Sequence, residues 1–200
     1  TDVAVDEAGN VFVADFLGQA IRKLPAGGGA QQTVGFTGLG FPQGITVDPA
    51  GNVYAVASGN LTKLTPGGAQ TSFAVSSSTG GVEADGAGNV YLAGSDGIVR
   101  KYPGGADTPI ALNYTGGSPR GLAVGGDGNV FVADPPNQQV VMLPVGGGPQ
   151  VPVGTAGLDA PADVAVSPTG SLYVALDVGR VVAYPAPGTQ IARGFEGLQT

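Results

Sequence analysis

FPQGITVDPAGNVYAVASGNLTKLTPGG, residues 41–68, consists of three short apolar runs separated by turn residues. GITV, from Gly44, ends at Asp48-Pro49-Ala50-Gly51-Asn52, where Gly51 supplies the positive φ of a tight hairpin loop. VYAVA at 53–57 is apolar on both sides, and LTKLT at 61–65 stops at Pro66-Gly67-Gly68. Short β-branched and aromatic runs, punctuated by Gly, Pro and Asn and without a helical period, read as an antiparallel meander.

The pattern recurs along the chain. The glycine of the first turn falls at Gly9 (EAGNVFVAD), Gly51 (PAGNVYAVA), Gly88 (GAGNVYLAG), Gly128 (GDGNVFVAD) and Gly170 (PTGSLYVAL), at intervals of 42, 37, 40 and 42 residues. From Gly170 through the C-terminus and round to Gly9 is 39 residues, so the sequence holds five whole repeats. First strands read DVAV (2–5), GITV (44–47), GVEA (81–84), GLAV (121–124) and DVAV (163–166). Second strands are VFVAD, VYAVA, VYLAG, VFVAD and LYVAL, and third strands are AIRKL, LTKLT, IVRKY, VVMLP and VVAYP. A weaker fourth strand follows, as in QTVGF or IALNY.

One such meander leaves two apolar faces in water. Stacking several around an axis buries both faces and protects most strand edges. The expected fold is therefore all-β: a five-bladed β-propeller of four-stranded antiparallel blades. It forms one domain over 1–200, with blades at about 1–41, 42–79, 80–118, 119–160 and 161–200. The first strand is innermost and TQIARGF at 189–195 is outermost in the fifth blade, so no interleaved closing strand is expected. Closure then rests on blade 5 packing against blade 1, with Val3 and Val5 against Val164, Val166 and Tyr173.

Composition narrows the function. Apolar residues are 42% of the chain and charged residues 12%, as in a globular domain of low charge. The 37 glycines and 16 prolines sit at fixed offsets, as turns do. With no Cys and no His, disulfides, Ser-His-Asp or Cys-His catalysis and nearly every zinc site are excluded. A net charge of −7 with eight scattered basic residues argues against nucleic acid, and no apolar run is long enough to span a membrane. No signal peptide opens the sequence, which is expected to be a mature or excised domain.

FPQGITVDPAGNVYAVA at 41–57 and SPRGLAVGGDGNVFVADPPNQQVVML at 118–143 resemble the NHL repeat, and the resemblance extends over the whole chain. FTGLGFPQGITVDPAGN at 36–52 is similar to the extracellular sensor propellers of bacterial membrane receptor Ser/Thr kinases. The chain departs from the family in the Arg of its N-x-R-[IV] motif: Asn137-Gln138-Gln139 and Gly18-Gln19-Ala20 stand there. The resemblance implies a propeller and an extracellular or cell-surface location. It says less about function, since NHL propellers serve as sensors, scaffolds, RNA binders and occasional enzymes.

Binding residues in a propeller gather on loops around the axis, on one face. The residues leading into the innermost strands include Asp2, Gln43, Arg120 and Asp163, which suggest a polar mouth for a small polar ligand or a cation. They also suit turn capping and pairing with each other at the rim. Glu83 stands where the other repeats have Ala4, Thr46, Ala123 and Ala165. A carboxylate near the axis costs free energy unless it is paired or solvated, so it is either a ligand contact or a wet channel residue. The run Ser76-Ser77-Ser78-Thr79-Gly80-Gly81 beside it reads as a flexible approach. Asp15 and Asp134 are expected to bond the amides of the following turn. Phe16, Phe41 and Tyr114 suit blade packing or a stacking surface. Gly27-Gly28-Gly29 and Gly146-Gly147-Gly148 lack the helix and Lys-Ser/Thr of a phosphate loop.

The expected function is a monomeric, non-catalytic binding or sensor scaffold that presents its mouth to an extracellular ligand or protein partner, with no cofactor and no metal. Two alternatives stay open. One is a structural fragment or engineered piece of a larger propeller. The other is a carboxylate-dependent glycosidase or lyase using Glu83 with Asp2 or Asp163.

Overall fold

A computed structural model describes residues 2–75, 78–153 and 158–185. Among them the chain is a five-bladed β-propeller whose sheets contain only consecutive antiparallel strands. Blade 1 is β1 (Val3–Val5), β2 (Val11–Asp15), β3 (Ala20–Leu24) and β4 (Gln32–Thr33). Blade 2 is β5 (Pro42–Val47), β6 (Val53–Ala57), β7 (Asn60–Leu64) and β8 (Gln70–Ala74). Blade 3 is β9 (Ser78–Ala84), β10 (Val90–Gly94), β11 (Val99–Tyr102) and β12 (Ile110–Ala111). Blade 4 is β13 (Leu122–Val124), β14 (Val130–Asp134), β15 (Gln139–Leu143) and β16 (Val151–Val153). Blade 5 shows β17 (Pro161–Val166), β18 (Leu172–Leu176) and β19 (Arg180–Tyr184). The strand expected at 189–195, and residues 76–77 of the Ser/Gly run, lie outside the described residues. Two 3₁₀ turns, Pro103–Gly105 and Pro135–Asn137, are the only helical elements among them, and each begins on the fixed φ of proline.

The first hairpin turn has the same construction in every blade. Gly9, Gly51, Gly88, Gly128 and Gly170 hold φ between 77° and 82°. In blade 1 the Gly9 amide donates to the Asp6 carbonyl at 2.9 Å. The Asp6 carboxylate accepts the amide and the side-chain Nδ2 of Asn10 at 2.8 and 2.7 Å. Asp48 with Asn52 and Asp85 with Asn89 repeat this closure, while Ser167 serves blade 5. These local bonds fix the register of β1 on β2, in which Ala4 faces Phe12.

The blades then stack by their two faces. The first strands lie side by side in the order β1, β5, β9, β13, β17. One core lies between each consecutive pair. Phe12, Ala14 and Ile21 of blade 1 pack on Ile45, Val53 and Ala55 of blade 2. Tyr54, Val56 and Leu61 meet Val82, Val90 and Leu92. Tyr91, Ala93 and Val99 meet Leu122, Val130 and Val132, and Ala123, Ala133 and Val140 meet Val164, Leu172 and Val174. Strand alternation explains the division: neighbouring residues of one strand face opposite blades.

The expected closing interface needs correction. Val164 and Val166 occupy the same register as Val3 and Val5 and therefore the same face of their blade. They pack back on blade 4, not forward on blade 1. Val3, Val5 and Tyr173 are exposed. Among the described residues no core joins blade 5 to blade 1.

Candidate functional site

The inner ends of the blades converge on the axis. Asp2, Gln43, Glu83, Arg120 and Asp163, one from each blade, line a single open cavity of about 370 Å³. All five residues singled out in the sequence thus meet in one place, although they differ in what they do there.

Asp2 is a connector. Its Oδ1 accepts the Val3 amide at 2.8 Å and its Oδ2 accepts the Ile45 amide at 3.0 Å, so one carboxylate ties blade 1 to blade 2. Asp163, in the same register of blade 5, accepts the Val164 amide at 2.9 Å. The middle blades have Gly44, Gly81 and Gly121 in this register because the next blade approaches too closely for a side chain. A Cβ on Gly44 would meet Val82, one on Gly81 the Leu122 amide, and one on Gly121 the Asp163 carboxylate. At one of these points the Gly81 amide donates to the Arg120 carbonyl.

Arg120 sits on the rim with its charge engaged elsewhere. Sequence order set it beside Asp163, but its guanidinium pairs with Asp177 in the turn between β18 and β19. Both side chains remain about half exposed. The pair spans blades 4 and 5, and nothing in the local sequence of either residue marks it.

Glu83 is the electrostatic centre of the cavity. Burial pushes its carboxyl up to about 7, and the negative charges of Asp2 and Asp163 push in the same direction. Burial also raises Asp163; the Val164 amide pulls it back, and the charge of Asp2 adds to the rise. Glu83 therefore exchanges its proton near neutral pH, chiefly because burial disfavours its charged form and secondarily because two like charges lie near it. Among the described residues no group of three or more His, Cys, Asp or Glu side chains is placed to hold a metal ion. No helix there is long and apolar enough to cross a membrane.

The remaining sequence candidates lie outside the mouth. Asp15 accepts the Gly18 amide at 2.8 Å, as its turn requires, and pairs with Arg22 at 3.2 Å. Asp134 is fully buried and bonds differently: Asn137 and Gln139 donate to it from their side chains, and the Gly117 amide from the loop ahead of β13. Phe16 and Phe41 stack on each other across blades 1 and 2 with centroids 5.2 Å apart, and Tyr114 is buried in the core between blades 3 and 4. What the sequence reading missed is a tyrosine–aspartate pair repeated six residues apart. Tyr54 donates to Asp48 and Tyr91 to Asp85, each at 3.0 Å. The Tyr/Phe alternation at that register (Phe12, Tyr54, Tyr91, Phe131, Tyr173) was the available signal.

No protein-family model matches the sequence, and no curated protein matches it significantly. Solved structures do match its fold. Virginiamycin B lyase from Staphylococcus aureus superimposes over 98% of this chain and 70% of its own, with a TM-score of 0.80 and 10% identity. A streptogramin B lyase gives 0.80 at 13% identity, over 98% of this chain and 69% of its own. A chain of a nidogen/laminin complex gives 0.80 at 19% identity, over 95% of this chain and 77% of its own. At these identities the likeness establishes the propeller fold. It also overturns the expectation that the chain is no enzyme. Lyases are built on this architecture, so the fold by itself does not argue against catalysis. Glu83, exchanging a proton near neutrality, is a group capable of acid–base work without His or Cys.

Proposed function

We propose that this chain is a recognition propeller whose mouth holds a small polar ligand bearing a cationic group. Asp2, Glu83 and Asp163 face the cation, with Gln43 and Arg120 at the rim. The observation that carries this reading is the convergence of the Asp2, Glu83 and Asp163 carboxyls on one cavity, where burial first and the charges of Asp2 and Asp163 second make Glu83 keep its proton until about pH 7. A cation seated among the three carboxyls relieves that repulsion, so binding strengthens as Glu83 ionises. The resemblance of residues 36–52 to extracellular sensor propellers fits a module displayed at a cell surface that takes its ligand from outside.

Calorimetric titration with a panel of small organic amines and quaternary ammonium ions tests this. The expected result is a binder whose affinity rises through pH 7 and falls at least tenfold in Glu83→Gln and in Asp163→Asn. A panel without a binder, or affinity indifferent to both substitutions, would falsify the reading.

A second reading uses the same mouth as a reaction site, with Glu83 as proton donor or acceptor. It is favoured by the position of that carboxyl near neutrality. Any turnover found should show a pH profile with one limb near 7 that disappears in Glu83→Gln.

A further inference from the structure

The two end blades carry faces that the inner blades bury. One register compares them directly. Ile45, Val82, Leu122 and Val164 are 2–6% exposed, each packed on the preceding blade, whereas Val3 is 59% exposed. Val5 is 61% exposed. Leu24 is 48% exposed, against at most 8% for Leu64, Tyr102, Leu143 and Tyr184 in its register. The opposite face shows the converse. Phe12, Tyr54 and Tyr91 are buried against the following blade, while Tyr173 is 43% exposed. Among the described residues, Val3, Val5 and Leu24 form a leading face with no blade in front, and Tyr173 belongs to a trailing face with no blade behind.

These are the two halves of one interface type, the one made four times inside the chain. The apolar knobs and their registers are the same, and only the partner differs. We propose that the gap between blade 5 and blade 1 is occupied by additional blades of this same repeat, which seat on Tyr173 at one side and on Val3, Val5 and Leu24 at the other. A blade is the one occupant whose two faces match both ends at once. A second copy of the whole chain matches each face singly but brings five blades to a gap in a ring. The solved structures that superimpose on nearly all of this chain are longer than it, by roughly one to two repeats of about 40 residues.

The absence of cysteine makes the test direct, since one introduced thiol reports one position. Val3→Cys, Tyr173→Cys and, as internal controls, Leu122→Cys and Tyr54→Cys are prepared in the otherwise unchanged chain. Each is labelled with a thiol reagent under native conditions. The same four variants are then made in a chain extended at its C-terminus by a copy of residues 42–118, which encode blades 2 and 3. In the unextended chain, Val3→Cys and Tyr173→Cys should react at least a hundredfold faster than the controls. In the extended chain both should slow tenfold or more, with higher thermal stability. Three results would overturn the proposal. Tyr173→Cys and Val3→Cys protected in the unextended chain would mean that it closes on itself. Protection gained only on dilution-sensitive association would make a second copy the occupant. An extended chain with both thiols still fast would mean that blades do not fit the gap. Circular dichroism of each variant separates slow labelling from misfolding.

Discussion

The carboxylate of Asp163 occupies the space that a Cβ on Gly121 would fill, so the inner strands of blades 4 and 5 touch through a position that tolerates no side chain. Gly121→Ala should therefore cost about 1–3 kcal/mol, the usual penalty for forcing a methyl into packed backbone. Gly126→Ala is the control, because a Cβ there meets nothing within 4 Å. Urea unfolding of the two variants compares them. Equal stability would mean that the blades separate enough to admit the methyl.

Asp2 makes a related contact by bonding instead of by closeness. Asp2→Ala removes the acceptor for the Ile45 amide and leaves that donor at a blade interface, which should cost about 1–3 kcal/mol. Asp2→Asn keeps an oxygen in place and should recover most of the loss. Thermal unfolding of the pair checks this. Asp2→Asn also removes one of the charges that raise Glu83, so its carboxyl should titrate lower, as read by carboxyl NMR.

Glu83 sets a pH dependence. Its native pKa lies near 7, above the ordinary 4.5 of the unfolded chain, so the folded state binds more protons between those values. Stability from this group is full below about 4.5 and falls as pH rises to 7, by at most about 3 kcal/mol. Asp163, also raised, acts in the same direction. Asp15 and Asp96 act oppositely. The Gly18 amide and Arg22 hold Asp15 low, the Arg100 side chain holds Asp96 low, and their contributions are lost as pH falls below 3.8. Wild type should be most stable in mildly acid solution. Glu83→Gln should flatten the decline between pH 4.5 and 7, and an unchanged slope would sink this assignment.

Tyr54 and Asp48 form a buried hydrogen bond whose ring and hydroxyl can be tested separately. Phe12 fills the same register in blade 1, so a phenyl ring fits the interface. Tyr54→Phe should cost about 0.5–1.5 kcal/mol, while Tyr54→Ala should cost about 3–5 kcal/mol. Chemical denaturation of both variants gives the comparison.

Arg120 separates rim chemistry from stability. Its ion pair with Asp177 is about half exposed, and such pairs contribute between zero and about 1 kcal/mol. Arg120→Ala should leave the unfolding midpoint nearly unchanged. It also removes the rim cation, so a cationic ligand should bind tighter, most visibly at low salt. Calorimetry with whichever amine binds wild type measures this.

Much of the fold is legible in the sequence because it is local. Turn glycines at Gly9, Gly51, Gly88, Gly128 and Gly170, with Asp–Asn pairs around the first four and Ser167 in the fifth, fix each hairpin within a few residues, and their spacing makes the repeat visible. The third strands fall within a residue of the runs read from the sequence. The weak fourth strands are two residues long in blades 1 and 3, where Gly and polar residues leave little to pack. The mouth was also accessible, because a repeat places equivalent positions at one end of the axis. Glu83 stood out there as the carboxylate among Ala and Thr.

What the tertiary structure alone decided is how blades meet. Which face of a strand looks forward and which back depends on the hand and twist of the stack, which no local pattern encodes; Val164 was therefore matched to the wrong neighbour. The partner of Arg120 is 57 residues away, and only the apposition of blades 4 and 5 supplies it. The proton affinity of Glu83 is likewise set first by its burial between the stacked blades and then by Asp2 and Asp163, which the fold brings near it from 81 and 80 residues away. Sequence determined the blade, because turns and alternation are short-range. Structure determined the interfaces and the charge on the axis, because burial and electrostatics depend on neighbours that only the stacked blades provide.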